Sequence, residues 1–209
     1  LTAELFRTLR TNIRFLQPAK ETSSVILVTS SVNGEGKSYV AANLAISQTL
    51  LDKKVVLVDL DIRKPILATS FDLSSQGCLT SYLADESYSI EDTIIKSSIK
   101  NLDIIPAGII PPNPSELLQS DRLDALLEEL RQRYDYIILD SAPTAIVSDT
   151  FLLNRIADLT IFVTRANYTT FDLIDSINQT HKQNRLPKMV AVLNGVKQKQ
   201  TVYSYGHRV

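Results

Sequence analysis

Residues 30 to 38 read "SSVNGEGKS", with a lysine and a serine placed directly after two closely spaced glycines. From Ser31 to Gly36, Lys37 and Ser38 the spacing follows the phosphate-loop pattern of Gly, four residues, then Gly-Lys-Ser/Thr. Ser31 stands where the first glycine of the pattern is expected. Each residue type has a chemical reason. Backbone amides along Asn33, Gly34, Glu35 and Gly36, and on into Lys37, Ser38 and Tyr39, can face phosphate oxygens; the Lys37 ammonium reaches the outer phosphates; the Ser38 hydroxyl can ligate Mg²⁺. A mere tight turn would use the glycines but gives no reason for a lysine at a helix start, where the helix dipole disfavours a cation.

Two further strand ends carry acids that suit the same chemistry. "YIILDSAP" ends an apolar run on Asp140, the position of a carboxylate that holds Mg²⁺ directly or through water. "VVLVDLDIRKP" ends another on Asp59 and Asp61, followed by Arg63. Strand alternation puts both carboxylates on one side, so Asp59, Asp61 and Asp140 are expected to gather around one cation. That is more acid than one Mg²⁺ needs, and a spare carboxylate is what accepts the proton of a hydroxyl nucleophile. The plainer reading of Asp61 and Arg63 is a solvated turn with a surface ion pair. Arg63 and Asn194, the latter at another strand end, are set down as nucleotide contacts.

These residues need elements to position them. "SVILVT" (Ser24–Thr29) is a continuous β-branched run, which marks a strand buried on both faces and therefore a parallel sheet. "SYVAANLAISQTLL" (Ser38–Leu51) is helical, and "KVVLVDLD" (Lys54–Asp61) is the next buried strand. "LDIIPAG", "YDYIILDSAP", "DLTIFVTRA" and "PKMVAVLNGV" repeat the strand pattern, with helical stretches at Ser115–Arg133, Asp149–Ala157 and Phe171–Arg185. The alternation predicts an α/β fold of three layers, a mostly parallel central sheet flanked by helices. In such sheets ligands lie beyond the carboxyl ends of the strands, where the phosphate loop and Asp140 both fall. Phe6, Leu9, Ile13 and Leu16 recur at helical spacing before Pro18, with Glu4, Arg7, Arg10 and Arg14 as a charged stripe on another face. "PAGIIPPNPSELLQS" stays extended until Ser115 can cap a helix. The tail from Val196 is polar, carries Tyr203 and Tyr205, and has little to bury. The expected division is one nucleotide-binding domain over 1–195, including the first helix at about 2–17, and a flexible tail over 196–209.

Composition sets the frame. The chain has 209 residues, 44% of them hydrophobic, and 22 basic against 23 acidic side chains, so no global field draws it to nucleic acid or membrane. A nucleic-acid partner is not expected. Its one cysteine, Cys78, excludes an internal disulfide and a zinc cluster and reads as a small packed residue. No run approaches the roughly 20 apolar residues of a membrane helix.

Taken in this order, the three motifs resemble the bacterial tyrosine kinases that control capsule and exopolysaccharide production. The family's second Walker-like motif, three apolar residues then Asp-x-Asp-x-Arg, is matched by "VLVDLDIR", and its Walker B by "IILDSAP". Its first-helix Glu-x-x-Arg-x-x-Arg is matched by Glu4, Arg7 and Arg10, and its proline-rich element by Pro111–Leu118. The family accepts Ser at the first P-loop position. The resemblance implies a P-loop fold that transfers the γ-phosphate of Mg-ATP to tyrosines of a C-terminal cluster on a neighbouring subunit of a ring-shaped homo-oligomer, leaving ADP. It implies that Lys37 and Ser38 bind phosphates and Mg²⁺, that Asp59 and Asp140 serve the metal, and that Asp61 is the base. Tyr203 and Tyr205 are the implied acceptors, and Glu4, Arg7 and Arg10 the implied ring contacts. It also implies a membrane adaptor, fused or separate, and service to polysaccharide polymerisation and export at the cytoplasmic face of the bacterial plasma membrane. A start at Leu1 suits a cytoplasmic domain of the fused kind.

Other readings compete with this one. Partition and cell-division ATPases carry a lysine directly after the first P-loop position, which is Val32 here, and dock on lipid through a basic C-terminal helix that is lacking. GTPases read guanine with Asn-Lys-x-Asp, which "LNGVK" does not match. A non-catalytic, ATP-loaded scaffold would have no need of the intact set Lys37, Ser38, Asp59, Asp61 and Asp140.

Overall fold

Continuous apolar runs form the middle of the sheet because a strand covered on both faces has no solvent side to make polar. The computed structural model describes residues 2–16, 23–73 and 77–197. Pro18, Tyr203 and Tyr205 and nearly all of the predicted tail lie outside these residues.

In chain order the elements are α1 (Thr2–Leu16), β1 (Ser24–Ser30), α2 (Lys37–Thr49), β2 (Val55–Asp59), α3 (Leu67–Ser70) and α4 (Leu79–Ala84). There follow β3 (Ile95–Lys96), β4 (Leu102–Ile105), α5 (Pro114–Leu117), α6 (Asp121–Arg133) and β5 (Tyr136–Asp140). The chain continues with α7 (Asp149–Leu152), a 3₁₀ turn at Leu153–Arg155, β6 (Leu159–Arg165), α8 (Phe171–Lys182) and β7 (Met189–Asn194). Among the described residues the sheet has seven strands in the order β3-β4-β2-β5-β1-β6-β7. Every pairing is parallel except β3 with β4.

Alternate residues of the central strands feed two cores. Ile26 and Val28 of β1, Val55 and Leu57 of β2 and Ile138 of β5 pack with Val40, Ala41, Leu44 and Ala45 of α2, and Ile13 of α1 joins them. Val25 and Leu27, Val56 and Val58, and Ile137 and Leu139 face the other way, onto Leu123, Leu126, Leu127 and Leu130 of α6. The period of two along each strand thus makes the three layers, helices on either side of one sheet.

Some local expectations are corrected. The stretch from Ser115 to Arg133 is two helices, because Ser120 is extended and its hydroxyl donates back to the Leu117 carbonyl. Ser115 is not a cap: Asn113 precedes the first turn, Pro114 occupies the first position, and the Ser115 hydroxyl donates to Asp149 instead. β2 ends at Asp59, so Asp61 lies in the turn beyond the strand and not on it. The two-residue β3 and the short α3 and α4 have too few residues for a periodic signal. Cys78 is buried, as read, and a Cβ on Gly108 would collide with it.

Candidate functional site

Parallel register brings the decisive strand ends together. Asp59 pairs with Asp140 across β2 and β5, and Val28 of β1 pairs with Asp140 on the other side. The chain leaving β1 is therefore next to both acids, and the Leu60 amide donates to the Asp140 carbonyl at 2.7 Å.

The loop between β1 and α2 has the backbone that its glycines allow. Gly34 and Gly36 have φ of +86° and +98°, a region that side chains rarely enter. A Cβ on Gly36 would also lie 2.1 Å from Asn194 Nδ2. Ser31 is not among the residues of positive φ, which explains why a side chain is tolerated where the motif has glycine. The loop lies against the neighbouring connection after β5, where the Thr144 and Ala145 amides donate to the Ser30 and Ser31 carbonyls at 2.8 and 3.0 Å. Lys37 opens α2 and is 8% exposed.

The Lys37 ammonium sits among the predicted acids. Its Nζ lies 2.8 Å from Asp61 Oδ2, 3.5 Å from Asp140 Oδ1 and 3.2 Å from the Ser38 hydroxyl. Burial works to lower its pKa, but Asp140, Asp61 and Asp59 outweigh that and hold it above the ordinary lysine value. Burial raises the Asp140 carboxyl to about 6 against the pull of Lys37 and the Ser38 hydroxyl. Burial, with repulsion from Asp140, raises Asp59 to about 7 against the Leu67 amide and Lys37. Of the three carboxylates expected to share a cation, Asp61 and Asp140 lie against the Lys37 ammonium, and Asp59 is paired with Asp140 on the neighbouring strand. Among the described residues no group of three such side chains is arranged to hold a metal ion. Both Asp59 oxygens already accept backbone amides, those of Asp61 and Leu67, each at 3.2 Å. Asp140 Oδ2 is buried with no partner. An unsatisfied anionic oxygen beside the Ser38 side chain fits a hard divalent cation, so Asp140 and Ser38 are the pair that suits Mg²⁺.

Other predicted residues lie differently. Arg63 donates from Nε to Asp149 Oδ2 at 2.7 Å and from Nη2 to the Ser115 hydroxyl at 3.3 Å, so its ion pair is with Asp149 and not Asp61. The Glu35 side chain turns inward, accepting the Val32 amide at 2.8 Å and the Thr169 hydroxyl, which leaves only its backbone for a phosphate. Asn194 donates to the Glu35 carbonyl at 3.0 Å and accepts the Gly195 amide at 2.8 Å, so its side chain serves the loop. Tyr39 packs its ring edge-on to Phe6 of α1. Arg10 is not part of an outward stripe: its guanidinium donates to the Ser47 carbonyl of α2, while Arg7 pairs with Glu4 at 3.2 Å in the open.

Sequence reading passed over Asp149, Arg165, Tyr168 and Thr169. The Arg165 guanidinium donates to the Gly34 carbonyl at 2.8 Å, and the Tyr168 hydroxyl to the Asn33 carbonyl at 2.9 Å. Only their position at the end of β6 or just after it could have marked Arg165, Tyr168 and Thr169.

Residues 23–189 match the family described as an AAA domain. The tyrosine-protein kinase YwqD of Bacillus subtilis is 37% identical over 98% of this chain and 86% of its own length. The tyrosine-protein kinase Etk of Escherichia coli is 33% identical over 97% of this chain but only 28% of its own length. The solved kinase domain of that protein superposes with a TM-score of 0.87 at 32% identity, covering 99% of this chain and 81% of that one. The septum site-determining protein MinD from Pyrococcus horikoshii, at 20% identity and a TM-score of 0.66, shares the fold. With the loop, the acids and the relatives agreeing over nearly its whole length, the chain belongs to the bacterial tyrosine-protein kinases, nucleotide-binding enzymes of the P-loop fold.

Proposed function

We propose that the protein transfers the γ-phosphate of Mg-ATP to tyrosine hydroxyls, Tyr203 and Tyr205 of a neighbouring subunit among them, within a ring-shaped assembly that serves polysaccharide synthesis and export from the cytoplasmic face of the membrane. The observation that carries the chemistry is Asp61 Oδ2 at 2.8 Å from Lys37 Nζ, beside the phosphate loop. Phosphate oxygens compete with Asp61 for the Lys37 ammonium. Once Lys37 turns to the outer phosphates, the Asp61 carboxylate is released beside the transferring group. It then accepts the tyrosine proton as the phenolic oxygen bonds to the γ-phosphorus and the bond from that phosphorus to the bridging oxygen of ADP breaks. Ser38 and Asp140 would hold Mg²⁺, with Asp59 next to Asp140 on the neighbouring strand, and the bound ion would supply neutralisation of phosphate charge. Arg63, tied to Asp149 and Ser115, fixes the turn that carries Asp61.

Purified protein given Mg-ATP is expected to become phosphotyrosine-positive, and Lys37→Met to abolish the signal. In a peptide-transfer assay Asp61→Asn should lower kcat by about 10²–10⁴-fold, the range of a general base, while changing ATP affinity far less. Phosphotyrosine that persists in Lys37→Met overturns the mechanism. Equal losses of kcat and affinity in Asp61→Asn reassign that residue to nucleotide binding.

A further inference from the structure

Three consecutive carbonyls of the phosphate loop each accept a hydrogen bond from a side chain at the ends of β6 and β7. Tyr168 Oη donates to Asn33 O at 2.9 Å, Arg165 Nη1 to Gly34 O at 2.8 Å, and Asn194 Nδ2 to Glu35 O at 3.0 Å. The donors form one small platform. The Arg165 guanidinium lies 5.2 Å from the centre of the Tyr168 ring. The turn that carries both is closed by the Thr169 amide on the Arg165 carbonyl at 3.0 Å, and the Ala166 amide joins it to Asn194 O at 2.9 Å. Thr169 also ties this turn to the buried Glu35 carboxylate.

Peptide planarity gives the arrangement a consequence. In a trans peptide the C=O of one residue and the N–H of the next point in opposite directions, and the described residues contain no cis bond. Carbonyls of Asn33, Gly34 and Glu35 held toward β6 and β7 therefore turn the amides of Gly34, Glu35 and Gly36 the other way. Among the described residues the Gly34 and Gly36 amides donate to no protein acceptor. A run of parallel, unsatisfied amides is an anion-binding nest. A glycine-rich loop left to itself can turn its peptides over and present carbonyl oxygens, which repel phosphate.

We propose that Arg165, Tyr168 and Asn194 are positioning residues for the polyphosphate of the nucleotide, acting through the loop peptides. They hold the nest in its phosphate-ready orientation before any ligand arrives. The inference rests on the loop holding a nucleoside polyphosphate, as the proposed function requires, but not on where the phosphate goes afterwards.

The test is calorimetric titration of the whole protein with Mg-ADP and, separately, with inorganic pyrophosphate. Tyr168→Phe keeps the ring and removes one donor, and it should weaken both ligands by the same factor, about threefold to tenfold for one lost hydrogen bond. Arg165→Met removes a charged donor and should weaken both by about tenfold or more. Tyr88→Phe, which alters an exposed tyrosine elsewhere, should leave both unchanged. Because the donors act on one loop conformation, the double variant should lose less than the product of the two single effects. Unchanged affinity in both variants overturns the proposal. So does a loss seen with ADP and not with pyrophosphate, which would place these side chains on the nucleoside. Should the variants behave as expected while the parent protein transfers no phosphate to tyrosine, the kinase mechanism fails and the positioning role stands. Tyrosine transfer by the parent, with affinities unaltered in the variants, removes the positioning role and leaves the kinase mechanism in place.

Discussion

Asp59 lies fully buried, and both of its oxygens accept backbone amides, yet its carboxyl is raised to about 7 because burial and the neighbouring Asp140 oppose its charge. An unfolded aspartate titrates near 3.9. Between those values the native state holds a proton that the unfolded state has released, so stability is greatest below the lower value and is lost as pH rises through the upper one. Asp140, raised to about 6, acts with the same sign over the lower part of that range. The nucleotide-free protein should therefore melt at progressively lower temperature from about pH 5 to about pH 7.5. Asp59→Asn should remove the part of that fall nearest pH 7 and leave the part due to Asp140. An unchanged slope in the variant would show that Asp59 is already ionised in the native state. That Lys37, Ser38 and Asp140 would lie together was legible in the sequence because each has a fixed place relative to a strand or helix end. The orientation of Arg63, Glu35 and Asn194 was not, since each takes a partner distant in the chain that no local pattern specifies.

At the scale of elements, α1 shows how a stripe read on a helical wheel changes once the helix has a neighbour. Ile13 is buried against the core containing α2, Phe6 and Leu9 pack beside it, and Ser47 of α2 donates to the Phe6 carbonyl at 3.3 Å. Arg10 belongs to this internal contact, since its guanidinium donates to the Ser47 carbonyl. Arg7 and Glu4 are left facing water, with side chains 66% and 64% exposed, where an ion pair contributes about 1 kcal/mol at most. Outward charge on α1 is thus better tested at Arg7 than at Arg10. If α1 joins subunits, Arg7→Glu should reduce the mass of the oligomer in light scattering, with little change in the melting of the subunit. A change at Arg10 would confound the two by breaking the α1 to α2 contact. Mass that stays the same in Arg7→Glu returns this face of α1 to ordinary solvated surface. The central strands were readable as continuous apolar runs, and α1 because its apolar residues repeat at helical spacing over several turns. Ser120 divides α5 from α6, its amide and its hydroxyl both donating to the Leu117 carbonyl, a local turn that periodicity passes over.

For the whole molecule, the chain order of strands and helices implied a parallel sheet in three layers, but not which strands would be neighbours. The placement of β5 between β2 and β1 is what sets Asp140 between Asp59 and the phosphate loop. Asp61 and Asp140 beside one lysine, with Asp59 buried next to Asp140, leave the ends of the central strands with excess negative charge, a cost that protonation or a bound cation relieves. Ligand binding should therefore be strongly linked to global stability. Saturation at about 100 times the Kd adds about 2.7 kcal/mol, and for a chain of this size each kcal/mol raises the melting temperature by about 2–4 °C. Mg-ADP should thus raise the melting temperature by about 5–10 °C, and ADP with a chelator by clearly less. Asp140→Asn removes the charge whose second oxygen has no protein partner, so it should abolish the difference between the two conditions while keeping the part due to ADP alone. A magnesium-dependent increment of full size in Asp140→Asn would move the metal to Asp59 or Asp61, although both Asp59 oxygens already accept backbone amides.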